Sequence, residues 1–413
     1  MRFQGFKASA KSLVVVAAAM IVCQPVFGQR AFTVLPHTNS GDGDPIAFMR
    51  PHYVLHQGTE SNLAAPPTSA FGPSKIRHAY GFDQLTNQGA GQVIGIVDAY
   101  DDPHAEADLG VFSKQYGLAA CTTSNGCFHK VFSNGRQPAA NSNWSVEISL
   151  DIQWAHAIAP QAKIVLVETP TNNLSDLVSG VDVAVRNGAS TVSMSWTSAE
   201  FKGEKSLDNH FVSNGVTFLA ADGDNGTNVA YPAASPFVIG VGGTSLTLDS
   251  NGNYLSESAW GGSGGGESTV ESEPLFQEQF GIPNDARGTR GVPDVSYNSN
   301  PGTGYAVYDS VSINGAAGWF QVGGTSAASP QWAALVAIAN SSRVAARKAN
   351  LSSAGSIVYS LAKANLATDF HAVTQGTNGS CGTLCTASSG FDYVTGLGTP
   401  QAKVLITALV AQK

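Results

Sequence analysis

Runs of apolar residues recur along the chain from about residue 76 onward, and each run has the length of a strand. The stretches QVIGIVDAY, AKIVLVET, ASTVSMSW, GVTFLAADGDNG and PFVIGVGGT are rich in Val, Ile, Leu and Phe, with little polar alternation. Continuous apolar runs of this kind are typical of parallel strands that are buried on both faces. We therefore predict a buried strand in each of the five stretches.

Between these strands the apolar spacing changes to that of helices, at residues 103–116, 144–159, 174–187 and 204–214. Strands that alternate with helices predict an α/β fold, with a doubly wound, mostly parallel sheet and helices on both faces. Ligands on such sheets bind beyond the carboxyl ends of the strands. Asp98, Trp196 and Asp224 are at predicted strand ends, so we expect the functional site near them.

The first 75 residues lack this alternation. Residues 1–28 combine a basic start, a short apolar run and small residues before a cleavage position, as in a secretory signal peptide. Residues 29–75 are rich in Pro, Ser, Thr and His and predict an N-terminal arm or a vestigial pro-segment. We therefore expect a secreted or periplasmic protein whose folded domain covers residues 76–413.

Composition narrows the class of protein. Only 13% of the residues are charged, 45 are glycine, and the formal net charge is −8. An acidic chain is poorly suited to bind the phosphate backbone of nucleic acids. No apolar run after the signal segment is long enough for a membrane helix. We expect a monomer that acts on polypeptides, with no nucleic-acid partner and no membrane span.

Four cysteines remain after the signal segment and form two close pairs, CTTSNGC and CGTLC: Cys121 with Cys127, and Cys381 with Cys385. In an exported chain this arrangement favours two small disulfide loops. A structural zinc site is the alternative, because four thiolates can bind the metal. The pairs are far apart and lack the CxxC spacing, so we predict disulfides.

The stretch NWSVEISLDIQWAHAIAP contains two acidic residues, Glu147 and Asp151, four positions apart in a predicted helix. At that spacing both carboxylates project from the same side of the helix. Set against apolar surface, such a pair can share a proton, which raises one pKa and couples the two titrations. The alternative is a solvated acidic face. His156 lies on a different side of the helix, and we interpret it as a partly buried helix histidine.

The stretch GGTSAASPQWAALVAIAN places Ser326 at the start of an apolar helix, with Pro330 in its first turn. A helix N-terminus favours developing negative charge, so Ser326 is a candidate nucleophile; the alternative is a helix cap. A nucleophilic serine needs a base, and no histidine is followed by glycine as in subtilisin-like motifs. The carboxylates are therefore the candidate bases. Asp224, in AADGDNG, is a third acidic candidate, with a plain surface turn as its alternative.

These motifs together resemble the sedolisin family, the serine-carboxyl peptidases, which have the subtilisin fold. WSVEISLD, SMSW, GDNG, YPAASPFVIGVGGT, GGGES, VPDVSYNSNPGTGY, GGTSAASP and TGLGTP follow one another in family order over about residues 76–413. The resemblance implies that Ser326 is the nucleophile and Glu147 its general base. It further implies that Asp151 orients Glu147 and that Asp224 lines the oxyanion hole.

The resemblance also implies supporting and substrate-binding residues. Asp98, in place of the family's usual Glu, would be linked to Trp196 near the active centre. Ser195 and a glycine-rich run would present backbone to an extended peptide by strand addition; the run comprises Ser263, Gly264, Gly265 and Gly266.

Two departures from the family pattern stand out. Fewer than fifty residues separate the signal from the catalytic region, where the family has a large prodomain. The family's calcium site is also altered, because Ala372 replaces an expected Asp and Ser388 an expected Gly. Calcium requires six to eight oxygen ligands, so we expect a weak site or none from the degenerate loop formed by Val373, Ser388, Gly390 and Asp392. The chemistry requires no cofactor.

The sequence thus predicts an exported, acid-acting serine-carboxyl endopeptidase. Histidine is protonated in acid, whereas a glutamate can still accept a proton there, and a neutral Asp224 could donate to an oxyanion. A protease-like protein that binds peptides with slow or no turnover is the main alternative. An esterase is less consistent with the sequence, because GTSAA is not a G-x-S-x-G elbow.

Overall fold

A computed structural model of the protein describes residues 1–2, 32–33, 50–51, 54–56, 64–283, 287–313, 315–352 and 354–413. The chain divides into two units, Met1–Ala31 and Phe32–Lys413. Only residues 1–2 of the first unit are described, so the predicted signal peptide lies outside the described residues. Most of the predicted arm does so too. All of the structure reported below belongs to the second unit.

The described strands are β1 (Phe32–Thr33), β2 (Arg50–Pro51), β3 (Val54–His56), β4 (Val93–Ala99), β5 (Phe128–Phe132), β6 (Lys163–Thr169), β7 (Thr191–Met194), β8 (Trp196–Ala199), β9 (Thr217–Ala221), β10 (Ala230–Tyr231), β11 (Val238–Leu248), β12 (Tyr254–Ala259), β13 (Gly266–Ser272), β14 (Thr289–Val292), β15 (Val295–Asn298), β16 (Tyr305–Ile313), β17 (Ala316–Gly323), β18 (Phe370–His371) and β19 (Thr399–Pro400).

The described α-helices are α1 (Pro73–Ala79), α2 (Ala105–Tyr116), α3 (Ser142–Ile158), α4 (Leu174–Arg186), α5 (Leu275–Phe280), α6 (Thr325–Ala345), α7 (Ala354–Asp369) and α8 (Ala402–Ala411). Short 3₁₀ turns occur at Phe82–Gln84, Glu204–Phe211, Pro301–Thr303 and Gly382–Cys385.

The central sheet has eight strands, in the order β12-β11-β9-β7-β4-β6-β5, with β15 also paired to β11. Within it only β11 and β12 pair antiparallel, and all other neighbours are parallel. The five predicted strand stretches all contribute to this sheet, and the last residue of the ASTVSMSW stretch, Trp196, opens the separate strand β8. The predicted parallel sheet is therefore confirmed.

Both faces of the sheet are covered, as predicted. Along β4, Ile96 belongs to one apolar cluster and its neighbour Val97 to the other, because successive side chains of a strand point to opposite faces. Helices α3 and α6 contribute to the first cluster and α4 to the second. This arrangement is the doubly wound α/β fold that the sequence predicts.

Two local predictions differ from the structure. Residues 204–214 do not form an α-helix; Glu204–Phe211 is a 3₁₀ turn. Ser, Asp and Asn within this stretch favour turns over helices, and the Glu204 carboxylate accepts a hydrogen bond from the Phe201 backbone N–H at 2.8 Å. Strand β5 was not predicted, because its residues combine His and Lys with apolar ones. It pairs with β6 at the sheet edge, where one side is solvated.

Both predicted disulfides are present, Cys121–Cys127 and Cys381–Cys385, so the zinc alternative is wrong. The one cluster of potential metal ligands found in the described part of the chain consists of the first of these pairs and His156. Its two sulfurs are bonded to each other. None of the helices among the described residues is long and apolar enough to cross a membrane.

Candidate active site

Ser326 is the second residue of α6, and the turn before it requires glycine. Gly324 has φ +117°, and a Cβ on Gly323 would lie 2.4 Å from the Pro301 backbone nitrogen. Gly324 occupies the N-cap position, and in the described part of the chain no side chain caps this helix. The helix-cap interpretation of Ser326 is therefore wrong. Its buried hydroxyl instead donates to the Ser195 carbonyl at 3.4 Å.

Pro330 lies further inside the helix than the sequence predicts, in the second turn of α6. A proline has no backbone N–H, so it cannot donate to the carbonyl four residues earlier. That carbonyl belongs to Ser326, and it accepts a hydrogen bond from the Ser195 hydroxyl at 3.4 Å. Ser195 and Ser326 are thus joined by two reciprocal contacts, which hold the end of β7 against the start of α6.

Glu147 and Asp151 lie on α3, whose residues from Trp144 to Ile158 are all buried. The Asn141 side chain caps the helix by accepting hydrogen bonds from the Asn143 and Trp144 N–H groups. Both carboxyl groups are fully shielded from solvent. The solvated acidic face, which was the alternative interpretation, is therefore wrong.

Asp98, near the end of β4, joins these two residues in a cluster of three buried carboxyl groups. Burial raises the pKa of Asp98 to about 8, and neither of its carboxylate oxygens has a hydrogen-bond partner among the described residues. Burial, and then the charges of Asp151 and Asp98, raise the pKa of Glu147 well above its ordinary value. Burial and the charge of Asp98 likewise raise the pKa of Asp151.

Two serine hydroxyls have the opposite effect on the pKa values of this cluster. Ser326 lowers the pKa of Glu147, and Ser195 lowers that of Asp151. Adjacent buried carboxylates repel one another, so the first negative charge in the cluster forms far more readily than the second. The arrangement can hold one negative charge next to Ser326, with protonated carboxyl groups beside it.

Asp224 approaches the start of α6 from the loop after β9. Its Oδ1 accepts hydrogen bonds from the backbone N–H and the hydroxyl of Thr325, each at 2.8 Å. Its Oδ2 is buried and has no hydrogen-bond partner among the residues that the structure describes. Burial raises the pKa of Asp224 to about 7. In acid, therefore, Asp224 is protonated, and because Oδ1 is occupied as an acceptor, the proton belongs on Oδ2. The alternative interpretation, in which Asp224 belongs to a plain surface turn, is therefore wrong.

Thr325 is a functional residue that the sequence analysis did not single out. Its hydroxyl accepts from the Gly223 N–H at 3.0 Å while donating to Asp224, so it ties the Asp224 loop to the helix of Ser326. Its position in the sequence could have indicated this role, because Thr325 is a hydroxyl residue directly before the candidate nucleophile, in GGTS.

Trp196 is fully buried next to the cluster, but its link to Asp98 is indirect. Its indole N–H donates at 2.8 Å to the carbonyl of Val97, the residue before Asp98, and not to the Asp98 carboxylate. The link between Asp98 and Trp196 that the resemblance implies therefore runs through the Val97 backbone in the described part of the chain. Trp196 thus anchors the backbone of β4 one residue before Asp98.

The glycine-rich run does not offer free backbone donors to a substrate. The N–H groups of Gly264 and Gly265 donate to the carbonyls of Gly223 and Asn228 at 2.8 and 3.0 Å, and Gly266 pairs with Val292 in β14. The Ser263 hydroxyl is also occupied, since it accepts from the Gly243 N–H at 2.8 Å.

Side chains are excluded from this run because a Cβ on Gly264 would lie 1.9 Å from the Asp222 carbonyl oxygen. The prediction that Ser263, Gly264, Gly265 and Gly266 bind peptide by strand addition is therefore corrected. They support the loop that carries Asp224.

The altered calcium loop is closed by the protein's own groups. Asp392 Oδ1 accepts from the N–H groups of Val394 and Thr395, and its Oδ2 accepts from the Thr395 hydroxyl and the Ser388 N–H. Both carboxylate oxygens are thus occupied, and Ala372 supplies no second carboxylate. The residues present do not fit the six to eight oxygen ligands that calcium requires.

Buried carboxyl groups with raised pKa values make the stability of the fold pH-dependent. Burial raises the pKa of Asp98 to about 8, of Asp224 to about 7 and of Asp309 to about 8. In the unfolded chain the pKa of an aspartate lies near 4. Between about pH 4 and pH 8 the folded state therefore binds more protons than the unfolded state. The stabilisation is complete below about pH 4 and is lost as the pH rises through 7 to 8.

We therefore expect the free energy of unfolding to fall between about pH 4 and pH 8, by up to about 1.4 kcal/mol per pH unit for each such group. Thermal unfolding followed by circular dichroism at a series of pH values would measure the slope. Asp309→Asn is the matched variant: it keeps the acceptor used by Ser145 and Val311 but does not titrate, so its slope should be shallower. A Tm that rises with pH would contradict this prediction.

Comparisons with known proteins agree with this geometry. A model of the subtilase family matches residues 137–354, more than half of the chain. Kumamolisin from Bacillus sp. (strain MN-32) is 32% identical over 408 aligned residues, which cover 89% of this chain and 69% of that protein. Sedolisin from Pseudomonas sp. (strain 101) is 28% identical, covering 85% of this chain and 63% of that protein.

A solved structure of Pseudomonas sedolisin, described as a serine-carboxyl proteinase complexed with pseudo-iodotyrostatin, superposes with a TM-score of 0.71 at 25% identity. The superposition covers 84% of this chain and 98% of the sedolisin chain. The family model, the two relatives and the solved sedolisin structure all agree with the resemblance that the ordered motifs indicate. The chain therefore belongs to the sedolisin family, the serine-carboxyl peptidases with a subtilisin-like fold.

Proposed function

We propose that this serine-type peptidase is a secreted endopeptidase that cleaves polypeptides in acid, with Ser326 as nucleophile and Glu147 as general base. One observation carries the proposal. The Ser326 hydroxyl lies at a helix N-terminus next to a cluster of buried carboxyl groups that can hold a single negative charge. His156, the histidine nearest to Glu147 in the sequence, donates its Nε2–H elsewhere, to the Ala119 carbonyl at 2.8 Å.

In the proposed mechanism, Ser326 Oγ attacks the carbonyl carbon of the scissile bond while Glu147 takes its proton. Asp151 and Asp98, which remain protonated, stabilise the charge on Glu147 before the transfer. The tetrahedral intermediate carries an oxyanion, to which protonated Asp224 donates through Oδ2. Glu147 then returns the proton to the leaving amine, and water hydrolyses the acyl-enzyme by the same sequence of steps.

The two protonation states that this mechanism requires set the limits of its pH range. The carboxyl cluster must carry one negative charge, and Asp224 must be neutral. The pKa of Asp224 is raised to about 7 by burial, so the donor is lost as the pH rises through neutrality. An ionised Asp224 would repel the oxyanion that it stabilises in acid.

Secretion and substrate class are also proposals. The signal-like segment over residues 1–28 and the two disulfides support export to an oxidising compartment. Strand β8 directly follows Ser195 and pairs antiparallel with β2, and this backbone pairing supports binding of an extended polypeptide by strand addition in place of β2.

The test is incubation of the purified protein with a denatured protein substrate from about pH 3 to pH 8, beside Ser326→Ala. We expect internal peptide-bond cleavage that depends on Ser326 and is fastest in acid. A folded protein that binds the substrate without cleaving it at any pH would overturn the proposal, and would support a peptide-binding protein instead.

We further propose that the protein needs no calcium, because the carboxylate oxygens of Asp392 already accept four hydrogen bonds from its own loop. A structural ion present at a hundred times its Kd would stabilise the fold by about 2.7 kcal/mol. We therefore expect Tm and activity to be the same in excess EGTA and in millimolar CaCl₂. A Tm that is several degrees lower in EGTA would contradict this prediction.

A further inference from the structure

A loop closed by the second disulfide packs against the loop that carries Asp224. We call residues 222–229 the Asp224 loop and residues 376–387 the disulfide loop. The backbone N–H and the hydroxyl of Thr227 both donate to the Asn378 carbonyl, each at 3.1 Å. The two loops are therefore hydrogen-bonded to each other three residues after Asp224.

Asn378 connects the disulfide loop to both ends of the Asp224 loop. It is buried, and its backbone N–H donates to the Cys385 carbonyl at 3.1 Å. Its side-chain amide donates to the carbonyls of Ser263 and Gly264 at 2.9 and 3.2 Å. The Gly264 N–H in turn donates to the Gly223 carbonyl at 2.8 Å. One side chain thus supports the segment before the acidic residue, while the carbonyl of the same residue holds the segment after it.

The Cys381–Cys385 disulfide shapes the surface on which Thr227 rests. It joins two residues that are only four positions apart. The Thr227 hydroxyl oxygen lies 3.1 Å from Cys385 Sγ, and a Cβ on Gly379 would lie 1.8 Å from that oxygen. Because the loops approach so closely, the position of Thr227 depends on the shape that the disulfide gives to its loop.

Asp224 needs such support because it lies on a loop and not on a helix or strand of the sheet. A group that acts in catalysis must be held within about 0.5 Å of its productive position. Thr325 fixes Oδ1 of Asp224, but the backbone that carries the side chain is held by other contacts. Those contacts come from the glycine-rich run and from the disulfide loop.

We propose that Asn378 and the Cys381–Cys385 disulfide are positioning residues for Asp224, which hold its loop so that Oδ2 meets the oxyanion. The inference rests on the proposed function. These residues act through Thr227 and the glycine-rich run and do not touch the reacting atoms. Loss of either one leaves every catalytic residue in the chain but lets the Asp224 loop move.

The first test is Asn378→Ala, with kcat and KM measured on a fluorogenic peptide. We expect kcat to fall about tenfold or more, because a displaced donor stabilises the transition state less. KM should stay within a few-fold of wild type, since the donor contacts the oxyanion and not the bound substrate. Circular dichroism would verify that the variant is folded.

The pH profile of kcat gives a readout that a general loss of stability would not change in the same way. Burial holds the pKa of Asp224 at about 7, and the charge of Asp224 in turn raises the pKa of Glu147. A loop that moves admits water, so the pKa of Asp224 falls toward its ordinary value and the donor is lost at lower pH. We therefore expect the descending limb to shift to lower pH in Asn378→Ala.

A double variant tests whether Asn378 acts through Asp224. In a chain that already carries Asp224→Ala there is no donor left to position, so adding Asn378→Ala should lower kcat no further. A double variant about tenfold or more below Asp224→Ala would show that Asn378 acts on another group, and would overturn the proposal.

The two disulfides provide a matched pair of variants. Cys381→Ala/Cys385→Ala should reproduce the fall in kcat and the shift of the descending limb. Cys121→Ala/Cys127→Ala is the control: the two bridges span four and six positions, so their removal should lower Tm by similar amounts. The control should keep kcat within a few-fold of wild type. Equal kcat and equal pH profiles in the two double variants would overturn the role of the second disulfide.

Thr227→Val tests the same contact with little risk to folding, because Thr227 is exposed and valine has nearly its shape. It removes the hydroxyl donor to Asn378 and should shift the descending limb in the same direction, with a smaller loss of kcat. If the wild type cleaves protein while Thr227→Val and Asn378→Ala both keep its kcat and pH profile, the inference is overturned and the proposed function stands. A wild type that cleaves nothing at any pH overturns both.

Discussion

Replacing Glu147 with Gln should lower kcat by a factor of about 10⁴ or more, close to the loss caused by Ser326→Ala. A glutamine has almost the same shape and fits the same buried position on α3, but it cannot accept the proton of Ser326. The substitution also removes the carboxylate whose pKa the Ser326 hydroxyl lowers. Since nucleophile and base act as one unit, the double variant should be little worse than either single one.

Steady-state kinetics on a fluorogenic peptide at about pH 4 would measure this loss, with circular dichroism to verify folding. His156→Gln is the control: its ring is bonded to the Ala119 carbonyl and lies nine residues, or about 13 Å, along the helix from Glu147. We expect this variant to keep kcat within a few-fold of wild type. If Glu147→Gln remained within tenfold of wild type while His156→Gln lost activity, the assignment of the base would be wrong.

Asp224→Asn should keep most of the activity in acid and extend it to higher pH. The side-chain oxygen of asparagine can accept from Thr325 as Oδ1 does now, and its amide N–H₂ takes the position of Oδ2. The donor to the oxyanion is then permanent, whereas that of Asp224 is lost as the pH rises through about 7. Asp224→Ala supplies no donor and should lower kcat by a factor of about 10² to 10³ at every pH.

The dependence of kcat on pH, measured for the three proteins, tests this role. We expect the descending limb of the pH profile to shift to higher pH in Asp224→Asn. The ascending limb should not change, because it reports the ionisation of the carboxyl cluster on α3 and β4. An unchanged descending limb in Asp224→Asn would show that another group sets it. Equal activity of Asp224→Ala and wild type would remove Asp224 from the oxyanion hole.

Local patterns in the sequence determined most of the fold. The apolar runs around Ile96 and Leu219 predict buried parallel strands because a strand covered on both faces has no polar side. The four-residue spacing of Glu147 and Asp151 places them on one side of α3, since that spacing is close to one helical turn. The turn before Ser326 and both disulfide loops are likewise set by residues close in sequence. These features depend on neighbours along the chain, so the sequence alone suffices for them.

Contacts between distant segments were decided only by the tertiary structure. The sequence does not indicate that Asp98 titrates with Glu147, that Trp196 bonds the Val97 carbonyl, or that Thr325 holds Asp224. Nor does a glycine-rich run indicate whether its N–H groups face a substrate; here Gly264 donates to Gly223.

The pairing of the arm with β8 and β17 joins residues that are more than a hundred positions apart. The reason is physical: spacing and composition specify which face of an element is buried, whereas pKa values and hydrogen bonds depend on which other elements are packed against that face.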